Sequence, residues 1–141
     1  MRNTLAIVAA FGALLFAALP VRAHHAFAAE FDADKPVKFK GTVTKMEWIN
    51  PHAWIHIEVK GDDGKVTEWM IEAAAPNSLL RRGWTKNSLP AGTEIVIEGF
   101  QAKDASNRAN GSVITFTDGK KLFVGSNAGE AGAAPGAPSD K

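Results

Sequence analysis

Trp48-Ile49-Asn50-Pro51-His52-Ala53-Trp54-Ile55-His56-Ile57-Glu58-Val59 is the stretch whose reading decides the fold. From Ala53 onward it alternates. Ala53, Ile55, Ile57 and Val59 fall on one side, and His52, Trp54, His56 and Glu58 on the other. A period of two is the signature of a strand with one face on a core. The opposite face carries an unusual set for solvent, since the stretch holds two of the four histidines and two of the four tryptophans.

Working outward, Val37 to Ile49 reads as a long first strand. Its apolar parity changes from Val37, Phe39 and Val43 to Met46 and Trp48, which calls for a bulge or bend at Gly41 or at Thr44-Lys45. Asn50-Pro51 makes a corner, because the residue before proline is held extended and proline cannot donate to a ladder. Downstream, Gly61-Asp62-Asp63-Gly64 is a hairpin turn with Gly64 left-handed, pairing Gly61 with Lys65. The third strand, Lys65 to Ala74, then sets Ile57 opposite Trp69, Ile55 opposite Ile71, His56 opposite Met70, Trp54 opposite Glu72 and Glu58 opposite Glu68. A slip of two residues keeps every face and relieves the Glu58–Glu68 repulsion. This pattern predicts Ile55, Ile57, Trp69, Ile71, Ile95 and Ile97 buried, with Glu58, Glu68 and Glu72 exposed.

Pro76 to Gly83 reads as a short helix, with proline in its first turn, Arg81-Arg82 at its negative end and Gly83 as its stop. Strands follow at Thr93 to Ala102, Gly111 to Phe116 and Lys121 to Val124, with a polar loop from Lys103 to Arg108. His24 to Asp32 has no strong period. The predicted class is all-β with one short helix. Three strands, a helix and two or three more strands are the order of a small five- to six-stranded OB-fold-like barrel, the oligonucleotide/oligosaccharide-binding architecture. That name carries no information about ligand.

Residues 1–23 have the parts of a secretory signal: Arg2, an uncharged apolar run from Leu5 to Leu19, and Val21-Arg22-Ala23 as a small-x-small cleavage site. The run is short for a span of about 20 residues. The chain of 141 residues would lose 23 on cleavage, leaving 118. Removal of two arginines and no acid lowers the basic count from 16 to 14 against 15 acids, a formal charge of −1. A periplasmic protein is expected, with no nucleic acid partner and no membrane attachment after cleavage. Cysteine is absent, which excludes disulfides, thiolate metal sites and a cysteine nucleophile. The organisation read from the sequence is signal peptide 1–23, N-terminal extension 24–36, β-barrel domain 37–124 and a disordered Ala/Gly/Pro/Ser tail 125–141.

His24-His25, Phe31-Asp32, Trp48-Ile49-Asn50-Pro51-His52-Ala53-Trp54, the run Pro76 to Trp84 and Gly99-Phe100-Gln101-Ala102-Lys103-Asp104 together resemble an uncharacterised family of small exported (proteobacterial) proteins. The resemblance covers nearly the whole mature chain. It implies export and these boundaries, and no activity.

Cleavage after Ala23 would make His24 residue one, where its α-amine and imidazole can bind one metal together; His25 adds an amine–amide–imidazole mode. Such nitrogen-rich chelation suits Cu(II) first, then Ni(II) or Zn(II). It resembles the histidine brace of copper oxygenases. His52 and His56 stand about 13 Å apart on a straight strand and cannot share one ion. His52, at the strand mouth, is the better companion for His24, or else it hydrogen-bonds the corner; His56 is a ligand, or else it packs beside Trp54. Met46, Met70, Trp48, Trp54 and His56 also resemble the His/Met/Trp set of barrel-fold periplasmic Cu(I) and Ag(I) chaperones, or the two methionines fill core gaps. Arg81-Arg82 with Trp84, and Trp54, are candidates for holding a small ligand or a periplasmic protein partner; the alternative for Arg81-Arg82 and Trp84 is helix-end charge and a covering aromatic. No nucleophile motif, paired acid/base site or phosphate loop is present, so an enzyme is not expected.

Overall fold

The computed structural model describes residues 23–125. Residues 1–22 and 126–141 lie outside the described part, and with them the expected signal segment except Ala23 and the expected tail except Gly125. Among the described residues there are two short helices, α1 (Ala23–Glu30) and α2 (Pro76–Arg81), and six strands. The strands are β1 (Phe31–Glu47), β2 (Trp54–Lys60), β3 (Val66–Glu72), β4 (Glu94–Ala102), β5 (Arg108–Phe116) and β6 (Lys121–Phe123). No helix among the described residues is long and apolar enough to cross a membrane.

The sheet is mostly antiparallel, in the order β3-β2-β1-β4-β5-β6, with β3 also pairing β5. That last contact is parallel and joins Met70, Ile71 and Glu72 to Arg108, Ala109 and Asn110. The pairings therefore run from β1 through β2, β3, β5 and β4 back to β1, a closed circuit with β6 as an appendage on β5. Helix α2 sits between β3 and β4, where the sequence placed it.

The hairpin of β2 and β3 has the register expected without slippage: Ile57 faces Trp69, Ile55 faces Ile71, His56 faces Met70 and Trp54 faces Glu72. Its turn closes through Gly61 N–H donating to Lys65 O at 2.8 Å, with Gly64 at φ 79°. Glu58 does face Glu68, and both stay in solvent, where water screens the repulsion. Strand β1 serves two neighbours, β2 and β4, and its register with β2 shifts between Val43 and Lys45. This is the bulge required by the parity change. Strand β1 begins at Phe31, earlier than the alternation from Val37 indicated, because Phe31 pairs with Ala102 ahead of a register shift. Strand β5 likewise begins at Arg108, inside the expected polar loop.

The core contains Val43, Ala53, Ile55, Ile57, Ile71, Ile95, Ile97, Ala109, Ile114 and Val124. Trp69 is half-buried at its margin and stacks on Phe39, with ring centroids 4.2 Å apart. Gly99 is required at the β4–β5 register shift, where a Cβ would collide with the Asn110 carbonyl. Helix α2 presses Pro76 and Leu79 inward, and Gly83 ends it at φ 83°. The Asn50–Pro51 corner is a cis peptide.

Ile57→Ala removes a fully buried side chain and should lower unfolding free energy by about 2–5 kcal/mol in urea titration. Val66→Ala, on a side chain 59% exposed, should change it by less than about 0.5 kcal/mol. Equal effects of the two would contradict the assigned faces.

Candidate functional site

A row of outward positions crosses the strands in register. Phe100 on β4 faces Asn110 on β5; Asn110 faces Glu72 on β3; Glu72 faces Trp54 on β2. Outward positions of a sheet are ordinarily wet, yet Glu72 and Asn110 are 6% and 8% exposed. The parallel contact between β3 and β5 brings them together, and His52, two residues before β2, lies against Glu72.

His52 Nδ1 lies 2.8 Å from Glu72 Oε1. The Asn110 side-chain amide donates to the same oxygen at 3.4 Å. Burial pushes the Glu72 carboxyl up from its ordinary value; the charge of His52, the Asn110 bond and Arg108 oppose that, while Glu30 adds to it. The His52 ring is about one-third exposed (32%), so it has one side on a buried carboxylate and one toward solvent. The expectation that Glu72 would be exposed is therefore corrected. Alternation within β3 gives its parity, but cannot show that β5 will pair alongside.

The N-terminal segment is moored to this region. His24 to Asp32, read as lacking a period, forms helix α1 and the start of β1. Phe27 packs edge-on against Phe100 at 5.7 Å and lies 5.9 Å from Phe31. Lys103 N–H donates to Glu30 O at 2.9 Å, and the Lys103 ammonium donates to Ala28 O. Arg108 sits among acids, 3.7 Å from Glu30 Oε2 and 3.2 Å from Asp104 Oδ2. Hydrogen bonds from Ser106 hold the Asp104 carboxyl below its usual range. Helix α1 includes positions 24 and 25; the side chains of His24 and His25 lie outside the described part.

His56 is in a different setting. Its Nδ1 is 3.2 Å from Glu68 Oε1, its Nε2 is 3.6 Å from Glu47 Oε1, and the side chain is only 12% exposed. At 3.6 Å the second contact is too long for a hydrogen bond, and Nε2 has no hydrogen-bond partner among the described residues. Lys45, bonded to Glu47, holds that carboxyl low. Met46 packs against the core, while Met70 lies beside His56 on the outer face. Among the described residues, no group of three or more His, Asp or Glu side chains is arranged to hold a metal ion.

The Arg81-Arg82-Trp84 set is split. Trp84 is 1% exposed and belongs to the core beside Leu79 and Leu89. Arg82 donates to Gly125 O at 2.6 Å, and exposed Arg81 donates to Ser78 Oγ at 3.1 Å. Trp54 is half-buried on the outer face, next to Glu72. Sequence reasoning missed Glu72 and Asn110. The available signal is a carboxylate directly across from Trp54 and diagonal to His52 in the hairpin register.

A family model described as "Family of unknown function (DUF6152)" matches residues 13–111. The chain belongs to that family. The match runs from the N-terminal apolar stretch into β5 and takes in α1, Glu72, His52 and Asn110. No curated protein and no solved structure matches the chain.

The raised Glu72 carboxyl gives a pH prediction. A folded pKa above the unfolded one favours the protonated acid, so the stability it contributes is largest at low pH. That contribution is lost as pH rises from about the ordinary 4.5 through the folded value. Glu72→Gln lacks this titration. The melting temperature of the variant minus that of the wild type should therefore climb as pH is raised from about 4 to about 7. A difference that falls with pH would contradict the burial of this carboxylate.

Proposed function

We propose that the protein is an exported, periplasmic binding protein on an OB-like scaffold, and that its ligand is a transition metal, copper first, with zinc or nickel as alternatives. The ligands are the amine and imidazole of His24, with His25, and the ring of His52. His56 is the weaker candidate, since both of its ring nitrogens face carboxylates. The observation that carries the reading is the one-third-exposed His52 ring, 2.8 Å from a buried carboxylate. Six residues separate His24 from Glu30, which is about 9 Å of helix axis, and Glu30 is close enough to Glu72 to raise its pKa.

The surroundings favour a cation. Glu72 lies against the imidazole, and Glu30 is close enough to Glu72 to raise its pKa further. Opposite charge concentrated at a site draws in its ligand. The rival reading is an interaction module that docks a partner through Trp54 and the Arg81-Arg82-Trp84 set. It retains Trp54 and Arg81 as accessible groups, whereas Trp84 faces the core.

Isothermal titration with Cu(II) tests the reading. A protein beginning at His24 should bind more tightly than one with an added Met, by roughly tenfold or more, a factor of ten being about 1.4 kcal/mol. The extra residue moves the amine away from the His24 ring. His52→Ala should weaken binding further, and His56→Ala should matter little. Affinity should fall as pH drops, because protons compete for the same nitrogens. Equal affinity with and without the extra Met rules out the N-terminal chelate.

A further inference from the structure

We infer that Asn110-Gly111 is a latent modification site: when the β3–β5 contact opens, the chain converts Asn110 to aspartate or isoaspartate by its own backbone chemistry.

This is the one asparagine–glycine pair in the sequence. The side-chain amide of asparagine is an electrophile within reach of the next residue's nitrogen. Glycine in that next place has no Cβ to crowd the attack and lets the backbone turn freely. In the reaction the Gly111 nitrogen bonds to Asn110 Cγ and gives up its proton. The Cγ–Nδ2 bond breaks, ammonia leaves with that proton, and a succinimide ring remains. Water then opens the ring at one of its two carbonyls. One opening restores the main chain with aspartate. The other leaves isoaspartate, whose main chain runs through the former side chain. The reaction consumes water and needs no metal ion, cofactor or partner.

Packing places both members of the pair. A Cβ at position 111 would lie 2.8 Å from Ile71 Cγ2 and 3.0 Å from Val124 Cγ2, so glycine alone fits without displacing them. Asn110 is 8% exposed, and its amide donates to Glu72 Oε1 at 3.4 Å. The same packing withholds the reaction. Asn110 is paired on both edges, with Phe100 of β4 and with Glu72 of β3. Ring closure needs the peptide between 110 and 111 to rotate about the Cα–C bond of Asn110, out of the extended form. That peptide is pinned against β4, where a Cβ on Gly99 would collide with the Asn110 carbonyl.

The lock has a weak place. The β3–β5 contact is three residue pairs long and parallel, the less stable mode of pairing. On the other edge the ladder with β4 shifts register between Glu98 and Gly99, beside Gly111. Short and interrupted pairings open ahead of the whole fold. An isoaspartate formed in that interval adds a main-chain carbon to β5 and puts the residues after it out of phase with β4 and β6. The conversion thus makes the opening permanent.

Peptide mapping by mass spectrometry follows position 110 during incubation at neutral pH and physiological temperature, with electron-transfer fragmentation telling isoaspartate from aspartate. In urea strong enough to unfold the chain, Asn110 should convert faster than every other asparagine. In the folded protein its conversion should be slower by about tenfold or more, because it waits on a rare opening. Urea below the unfolding transition should leave that slow rate nearly unchanged, since a local opening exposes little surface. Ile71→Ala loosens the contact with Ala109 and should raise the rate several-fold, whereas Val66→Ala should not. The isoaspartyl protein, separated by chromatography, should melt below its parent. Equal rates in the folded and unfolded chain, or conversion in urea no faster than at other asparagines, overturns the inference. So does a rate that rises in step with global unfolding, or an isoaspartyl protein that melts with its parent. Should Ile71→Ala fail to fold, the urea series decides alone.

Discussion

Strands can enclose a core only if the gap between the first and last of them is hydrogen-bonded. Here that gap is closed by Met70–Glu72 running parallel to Arg108–Asn110. Backbone donors left unpaired at such an edge would have to meet water, and the core behind Ile71 and Ala109 would be opened with them. The contact is short, three residue pairs, and it has a side effect. It sets the side chain of Glu72 against that of Asn110 on a face that would otherwise be wet. A buried carboxylate needs partners, and the fold supplies a hydrogen bond from Asn110 and the nearby ring of His52, 2.8 Å away just before β2. The candidate site is thus a by-product of closure.

Several distant features serve that same closure. Strand β1 must bend to reach both β2 and β4, and the shift between Val43 and Lys45 gives it the bend. Gly41 allows the backbones to close in, since a Cβ there would lie 2.8 Å from Glu58 O. Gly111, immediately after Asn110, leaves room for Ile71 and Val124. Trp84, carried in by the turn after α2, fills the interior beside Leu79 and Leu89. On the outside, Phe27 and Lys103 dock α1 against β4, and Arg108 joins its last residue to β5.

Local chemistry was legible in the sequence, and contacts between remote segments were not. The β2–β3 hairpin could be read to the residue because alternation and one glycine turn determine it together. Helix α2 was legible from Pro76 and Gly83, and the bulge in β1 from the parity change. The parallel contact was not legible, since neither β3 nor β5 carries a local mark of its partner, and the burial of Glu72 was lost with it. Helix α1 escaped because an eight-residue segment with two histidines and a single phenylalanine has no clear amphipathic face; it is held by Phe100, Lys103 and Arg108, which lie some seventy residues on. For Trp84 the sequence left two readings, a ligand-holding aromatic or a covering one, and the path of the chain after Gly83 turns it inward.

The proposed function ties export to chemistry: in it, removal of the first 23 residues would free an amine at the start of α1, the helix that packs on Phe100 of β4. Native mass spectrometry of the protein recovered from the periplasm of cells supplied with copper reports the N-terminus and any bound ion in one spectrum. The account predicts a chain beginning at His24 that carries one copper ion and loses it when His52 is replaced by alanine. A chain that begins elsewhere, or one that begins at His24 and carries no copper, would contradict it.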